Sequence, residues 1–339
     1  MMPRSFRLKE LMSAELARIH NLVRPYTEKN DLRALWEVLS TLIVFVPLGI
    51  LLYCYRDHVV IWWLGSIPAA LLLVRLFSLG HEAGHAALFR SRRTNQWIGR
   101  FLALVSLIPY GCWHRMHYVH HQSIGKVGGD HEGYMWLMTK QEYRSCSRVQ
   151  RVLYRMYHHP ITLFVVGPIL QFVILYRWAG SGVTAADRKS IRMTNLALAG
   201  IVLVISGTIG IGPFLHAFLP MYVLAAAIGS WLFFIQHVTE KTYWATDGTW
   251  DKKGALLGGS TFYDLPPVLR WCIANSGYHP LHHLNAGIPC YRLRECWEAH
   301  SDVFSGCPRI TLRESLRHFR LALWDEEKNR MVGFDLAGR

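Results

Sequence analysis

Apolar residues are grouped along this chain in long blocks, unlike the short periods that are typical of soluble helices and strands. The apolar runs cover residues 35–55, 61–80, 160–178, 194–211 and 214–236. Each run is close to the ~20 residues that an α-helix needs to cross the hydrocarbon of a bilayer. The pattern therefore predicts a helical integral membrane protein, in which a further run at 97–110 is too short to span.

Four of these runs come in two pairs. The first two runs are separated only by a short segment around Arg56, Asp57 and His58, and the last two only by a turn at Gly212 and Pro213. Two helices that are joined so closely fold back on one another. Each pair therefore predicts a helical hairpin.

Basic residues are distributed unevenly around the runs. Lys and Arg are frequent before residue 35 and between residues 81 and 159, whereas the two hairpin tips carry almost none. Because cytoplasmic loops of membrane proteins hold an excess of Lys and Arg, we expect the N-terminus, residues 81–159 and everything after residue 237 to be cytoplasmic. The hairpin tips would then lie on the opposite side.

If the run at 160–178 crossed the membrane, it would reverse the sides assigned to all later segments. It is preceded by Arg155 and followed by Arg188, so both of its ends favour the cytoplasm. We therefore predict an interfacial or re-entrant segment. The run at 97–110, which contains Arg100, receives the same interpretation.

These features predict an all-α integral membrane protein with four transmembrane helices in two hairpins, interfacial helices and a cytoplasmic helical cap. Residues 1–34 are expected to form an N-terminal cytoplasmic amphipathic segment, 35–300 the membrane domain and 301–339 a C-terminal cytoplasmic tail. Arg75 lies inside the second run, where a charge at the bilayer centre costs about 2.5–3.5 kcal/mol. Since it is near the cytoplasmic end, we expect its side chain to snorkel to the interface.

Composition and charge agree with a bilayer environment. The chain is 51% hydrophobic and only 18% charged, yet its formal net charge is +14, which places basic residues where water or lipid headgroups can reach them. These residues are scattered and accompany no nucleic-acid motif, so no nucleic-acid partner is expected. The seven cysteines lack CxxC spacing and are expected to be reduced thiols. The charged N-terminus is not a secretory signal.

Histidines at helical spacing form three clusters, called here the first, second and third histidine box. They are HEAGH at 81–85, HYVHH at 117–121 and HPLHH at 279–283, and His237 ends the last apolar run. Since residues three or four positions apart share a helix face, the imidazoles of each box can converge on one site. Pro280 is tolerated in the first turn of a helix, so the third box is predicted to open one.

Together, the boxes and His237 supply nine imidazoles on the predicted cytoplasmic side. One metal ion cannot use nine ligands, whereas two octahedral irons can, with positions left for water, oxygen or a bridging ligand. Polar side chains at a membrane usually mark function. We predict a di-iron site held by His81, His85, His117, His120, His121, His237, His279, His282 and His283.

The other histidines and nearby acids carry weaker signals. Isolated histidines, expected to be solvated or interfacial, are His20, His58, His216, His300 and His318, together with the pair at 158–159. The roles of His114 and His131, which flank the second box, are left open. Carboxylates that could fix imidazole tautomers are Glu82, Asp130, Glu240 and Asp264. All of these except Glu82 are more simply explained as surface carboxylates.

Further motifs flank the boxes. They are WHRM at 113–116, QH at 236–237 with YW at 243–244, NSGY at 275–278, and LNAGIPCYRL at 284–293. With three boxes of these types in this order, residues 25–300 resemble the membrane fatty acid desaturase family and, in the last motif, its bacterial acyl-lipid branch. One departure is His114, which stands where the family usually has a basic residue.

The resemblance implies a function and a set of partners. It implies two irons held by the nine histidines, with Asn275 near the metals through water. The expected reaction is the oxygen-dependent introduction of a double bond into the fatty acyl chain of a membrane lipid or acyl carrier, at the cytoplasmic side of a bacterial inner membrane. No haem signature of the HPGG type and no GxGxxG fingerprint is found. A separate donor such as ferredoxin or a cytochrome b5-like protein would therefore supply the electrons.

Three kinds of alternative remain at this stage. Di-iron hydroxylases and ketolases share similar boxes, and the substrate of a desaturase could also be a small amphiphile. The first box fits the HExxH pattern of a membrane zinc protease, with Glu82 as general base, although that function would leave seven histidines unused. A non-catalytic metal carrier is a further alternative.

Overall fold

The computed structural model describes residues 4–128, 135–180 and 182–336, so Asp130 and His131 lie outside the described residues. The described chain is mostly helical. Its α-helices are α1 (Arg4–Val23), α2 (Asp31–Cys54), α3 (Val59–Gly84), α4 (Arg92–Val105), α5 (Tyr110–Gln122), α6 (Lys140–Ser145), α7 (Arg148–Tyr157), α8 (Gly167–Ile169), α9 (Ala185–Thr208), α10 (Ile211–His237), α11 (Lys252–Gly258), α12 (Pro267–Cys272), α13 (His279–Leu284), α14 (Cys290–Ala299), α15 (Ser301–Phe304) and α16 (Leu312–Ser315).

Among the described residues, four helices are long and apolar enough to cross a membrane, namely α2, α3, α9 and α10. They coincide with four of the apolar runs, as predicted. Helix α9 begins well before its apolar run, because Thr184 and Asp187 form a capping box that satisfies the first backbone N–H groups. The basic residues that follow Asp187 therefore belong to the same helix.

Helix α3 occupies the centre of the helical layer. In its most apolar stretch 44% of the residues are buried, against 6% for α9. Leu73 and Ala70 of α3 share a core with Met221 of α10, while Leu76 packs with Leu102 of α4. Because α3 is held on several sides, the first histidine box at its C-terminal end has a fixed position.

The fifth apolar run is irregular. Residues 162–177 consist of π-helical and 3-10 turns around α8, and this segment meets α7 at an angle of 62°. Such a bend occurs in a broken span and also in a re-entrant loop. The interfacial or re-entrant placement therefore stays a prediction.

Helix α4 is amphipathic. It begins after Ser91, whose side chain accepts a hydrogen bond from the Thr94 backbone N–H. Leu102 and Ala103 are buried, and α4 packs along α3. On the opposite face Trp97 is 70% exposed.

In the described ranges, five short strands lie outside the long helices. They are β1 (Met138–Thr139), β2 (Phe262–Asp264), β3 (Arg309–Thr311), β4 (Leu323–Asp325) and β5 (Arg330–Val332), with sheet orders β1-β4-β5 and β2-β3. The predicted all-α class was wrong on this detail, since two or three residues are too few to show the period of a strand. The strands tie the chain after residue 300 to earlier elements, and the buried Lys140–Asp325 ion pair at 3.2 Å reinforces one of these ties.

Arg75 does not snorkel. Its side chain is only 1% exposed and forms an ion pair with Glu37 of α2. It also donates to Thr41 Oγ1 at 2.9 Å and to the Trp271 carbonyl, and lies 3.9 Å from the centroid of the Trp271 ring. Arg75 therefore joins α2, α3 and α12, a role that needs partners the local sequence does not show.

Candidate metal centre

The ends of two long helices and two short helices bring the histidine boxes together. The first box lies at the C-terminal end of α3, the second within α5, and His237 is the last residue of α10. The third box opens α13 at His279, with Pro280 in the first turn as predicted.

Five of the predicted histidines form one group, called here the five-histidine group, whose ligating nitrogens all lie within 4.8 Å of one another. They are His81, His85, His117, His121 and His282. The Nε2 atoms of three of them lie 2.8–2.9 Å from that of His117. A ring nitrogen has either one proton or one lone pair, so these three contacts cannot all be hydrogen bonds. The arrangement is that of ligands converging on a common centre.

The other four form the four-histidine group, which is buried throughout and meets the same distance limit. They are His120, His237, His279 and His283. The Nε2 atom of His279 lies 3.0 Å from that of His237 and 3.1 Å from that of His283. The two groups adjoin, because the ring centroids of His121 and His283 are 4.2 Å apart.

Each of the HxxHH boxes contributes to both groups, so the expectation that the three histidines of a box share one site was wrong. The outer pair, His117 with His121 or His279 with His283, belongs to one group. The middle histidine, His120 or His282, belongs to the other. At 3.6 residues per turn, consecutive histidines differ by about 100° around the helix, so they point to two neighbouring positions.

Burial keeps seven of these imidazoles neutral. Burial is the larger cause and the charge of neighbouring imidazoles is the smaller one. Together they lower the pKa of these rings well below 6.5, and that of His121 to about 3. Within the two groups, the other rings outside the long helices that have lowered pKa values are His85, His117, His120, His279, His282 and His283. Neutral rings at pH 7 have a lone pair available for a metal ion.

A backbone carbonyl and a carboxylate lie behind the rings, on their Nδ1 side. His237 Nδ1–H donates to the Gly259 carbonyl at 3.2 Å, which leaves the Nε2 lone pair directed into the four-histidine group. Buried Glu82 has its Oε1 atom 3.4 Å from His81 Nδ1 and 3.8 Å from His282 Nδ1. Glu82 is therefore the candidate carboxylate that fixes two ligands of the five-histidine group.

Aromatic packing also orients the site, and its partners could not be identified from the sequence pattern. Trp113 stacks on His117 with ring centroids 5.0 Å apart and planes 5° apart. Phe233 lies against His120 and His237 at 5.2 and 5.3 Å. Trp113 is part of the WHRM motif, but neither the stacking nor the position of Phe233 follows from spacing.

The other candidates lie in different surroundings. Asn275 has a positive φ of 59°, and its Nδ2 donates to the Cys290 carbonyl at 2.9 Å, so its predicted link to the metals through water stays a prediction. Asp264 pairs with Arg270 and Arg309. Glu240 is exposed. The ring centroid of His114 is 6.5 Å from that of His85, and His114 belongs to neither group.

The nitrogen positions fit two metal ions. Neighbouring ligands of an octahedral ion with metal–nitrogen bonds of about 2.1 Å are about 3.0 Å apart. The close Nε2 pairs in the two groups span 2.8–3.2 Å. Imidazole is a ligand that suits iron as well as zinc and copper.

Comparison with known proteins identifies the family. The family model for fatty acid desaturases matches residues 57–311, which include both histidine groups. The chain belongs to the fatty acid desaturase family. A fatty acid desaturase of Bacillus subtilis (strain 168) is 32% identical, over 92% of this chain and 89% of that protein.

Desaturases with lower sequence identity also match this chain. An omega-3 fatty acid desaturase of the endoplasmic reticulum of Vigna radiata is 27% identical, over 81% of this chain and 74% of its own. A protein of Synechocystis named as sn-1 acyl-lipid omega-3 desaturase (ferredoxin) is 26% identical, over 74% and 70%. Desaturases are oxidoreductases, so membership of this family favours an oxidoreductase over the alternative of a zinc protease.

Proposed function

We propose that this desaturase introduces a double bond into a fatty acyl chain of a membrane lipid, using oxygen and two irons held by the nine histidines. The observation that carries the proposal is the division of the histidines into two adjoining groups, of five and four. Two such groups favour a pair of metals over the single zinc of a protease. The relatives named as acyl-lipid desaturases support a lipid-bound substrate.

We further propose two hairpins, α2–α3 and α9–α10, with the histidine groups in a cytoplasmic cap at an inner membrane. The two short connections lie close together, because Tyr53 Oη donates to the Ile209 carbonyl at 3.0 Å and Trp62 Nε1 to the His216 carbonyl at 2.8 Å. His81 and His237 lie at the other ends of α3 and α10. The excess of Lys and Arg before α2 and after α3 supports the cytoplasmic side.

The residues of the chain prepare the site for this chemistry. Two bound irons would supply the oxygen-dependent removal of hydrogen from an unactivated methylene, which no acid or base side chain can perform alone. The protein contributes neutral rings, because burial lowers their pKa values. The negative charge of Glu82 near Nδ1 of His81 and His282 favours the ring proton on that side and so keeps Nε2 free. The burial of the four-histidine group also excludes bulk water.

The proposed electron donor is a separate acidic protein. The net charge of +14 would attract such a donor electrostatically, and that attraction weakens as salt screens it. Turnover coupled to ferredoxin is expected to slow when the ionic strength is raised from 20 to about 300 mM. Turnover that does not depend on salt would exclude electrostatic docking.

Expression in a bacterial host, followed by lipid analysis, tests the proposed function. Mass spectrometry of the fatty acids should show products lighter by two hydrogens, and metal analysis of the purified protein should give about two irons per chain. His120→Ala should abolish the product, while His58→Ala, at an exposed position outside both groups, should not. Products that gain oxygen would instead identify a hydroxylase, and one zinc per chain would contradict the di-iron site.

A further inference from the structure

Helix α7 exposes an apolar face. Its large apolar residues recur at intervals of three and four positions, which places them on one side of the helix. They are Val149, Val152, Leu153 and Met156, whose exposed fractions are 68%, 56%, 53% and 59%. We call these four residues the α7 stripe. Since the apolar stripe of a soluble helix normally faces the core, an exposed one indicates a surface that something else covers.

The opposite face of α7 is the packed one. Tyr154 is fully buried, and its Oη donates to the Ala322 carbonyl at 2.5 Å. One turn further along, Nε2 of the buried His158 lies 2.9 Å from the Trp136 carbonyl. At about 100° per residue, Tyr154 lies roughly 150° around the helix from the centre of the stripe. The stripe therefore points away from the part of the protein against which α7 packs.

The exposed apolar surface continues into a segment at the edge of the bilayer. Ile161, which follows α7, is 60% exposed. Phe164 then packs on α10, with ring centroids 5.2 Å from Trp231 and 5.4 Å from Phe234. Helix α10 is long and apolar enough to span, and Phe234 lies within one turn of its last residue. The chain directly after α7 therefore lies where that span reaches the membrane surface.

The charges beside the stripe are basic. The sequence of α7 contains three arginines and no acidic residue. Arg148 and Arg151 are exposed and lie around the helix between the stripe and the packed face. Arg155 contacts the protein instead, since its Nε donates to the Tyr143 hydroxyl at 2.7 Å. Cations at the edge of an exposed apolar face attract anionic lipid headgroups.

A bilayer explains these features better than a protein partner. A stable protein interface buries about 800 Å2 on each side, and α7 has only 10 residues, a length of about 15 Å. The exposed apolar surface also runs on beside the end of α10, where the neighbour is lipid. Amphipathic helices with basic residues beside an apolar face lie in the plane of the membrane surface, with that face at the boundary of the acyl chains.

We propose that α7 lies in the headgroup layer of an anionic lipid bilayer, with the α7 stripe among the first acyl methylenes and Arg148 and Arg151 on lipid phosphates. These lipids form a surface and are not the substrate, so the inference goes beyond the proposed function. Because Tyr154 bonds to Ala322, the residue before β4, the same helix fastens the strands near the C-terminus to the membrane.

Fluorescence quenching measures the position of α7. An environment-sensitive label is attached at Val152→Cys in a Cys54→Ser/Cys146→Ser background, in which the remaining cysteines are buried, and the protein is reconstituted in vesicles. Lipids with a spin label at the start of the acyl chain should quench it at least about threefold more strongly than a label at Glu326→Cys. That control position is exposed in the turn between β4 and β5. Aqueous iodide should quench the two labels in the reverse order.

The contact with phosphates is tested by matched removal of charge. Addition of phosphatidylglycerol to phosphatidylcholine vesicles should raise the lipid quenching at position 152 about twofold or more. Arg148→Gln/Arg151→Gln should remove this rise. Lys328→Gln/Arg330→Gln, which takes the same charge from exposed positions beside the β4–β5 turn, should keep it.

The proposal would be overturned if iodide reached the label at position 152 as easily as the label at position 326. Oxidative crosslinking of two Val152→Cys chains in dilute vesicles would also overturn it, because a second copy would then cover the stripe. A rise in quenching that is absent from the wild type, or lost in the Lys328→Gln/Arg330→Gln control, would refute the contact with phosphates. If Val152→Cys does not fold, Leu153→Cys gives the same comparison. None of these measurements depends on desaturation, so they are independent of the proposed function.

Discussion

The buried ion pair between Glu37 and Arg75 gives a stability prediction that can be worked out from the structure. Arg75 is 1% exposed and Glu37 18% exposed. Glu37→Gln removes the negative charge and leaves a buried guanidinium with only neutral partners, among them the Thr41 hydroxyl and the Trp271 carbonyl. Removing one member of a buried pair costs about 3–5 kcal/mol. Since Glu37 is partly exposed and two neutral partners remain, we expect about 3 kcal/mol.

The double substitution Glu37→Gln/Arg75→Met distinguishes a lost ion pair from lost packing. Replacing a buried pair with apolar side chains of similar volume is often close to neutral. The double variant should therefore be more stable than Glu37→Gln alone, and the coupling energy in the cycle should be at least about 1.5 kcal/mol.

Unfolding in mixed micelles of dodecylmaltoside and dodecylsulfate, followed by tryptophan fluorescence and far-UV circular dichroism, measures these energies. Glu240→Gln, which changes an exposed carboxylate, is the control and should stay within about 0.5 kcal/mol of the wild type. A cost for Glu37→Gln as small as that of the control would refute the reasoning. The reasoning would also be refuted if the double variant changed the free energy of unfolding by the sum of the two single changes.

Three further predictions concern the metal centre and the stability of the protein. Glu82→Gln should weaken iron retention about tenfold in a chelator competition, and unchanged retention would contradict the orienting role. Gly277→Ala should destabilise the protein by about 1–3 kcal/mol, because a Cβ there would lie 2.6 Å from the Tyr263 carbonyl, whereas Gly248→Ala, with open space around it, should not. The unfolded chain binds more protons than the folded one below pH 6.5, since the pKa of His121 is lowered to about 3. The metal-free protein should therefore lose on the order of 1 kcal/mol per such histidine between pH 7.5 and 5.5. A melting temperature that does not change over this interval would contradict the buried neutral rings.

The predictable parts of the fold are those that depend on residues close together in the sequence. Apolar runs near the length of a bilayer span correspond to α2, α3, α9 and α10, and Pro280 marked the start of α13. The nine histidines could be chosen because ligand spacing within a helical turn is a local property. All nine lie in the two groups.

The parts that were not predictable depend on distant partners. Arg75 meets Trp271 across 196 positions of sequence, and no local pattern indicates that contact. The acceptor of the His237 ring proton is a backbone carbonyl, which has no sequence signature. Strands of two or three residues are likewise defined by their neighbours. The three histidines of an HxxHH box were expected to share one site because they share one turn, whereas the structure divides them by angle around the helix.

This division has a consequence for how the centre is assembled. Since α5 and α13 each reach into both groups, an ion that fixes one group also holds the helix that supplies the other. Binding of the first ion thereby lowers the ordering cost of the second. We expect the two ions to enter cooperatively, so that half-filled protein is scarce throughout a titration with iron.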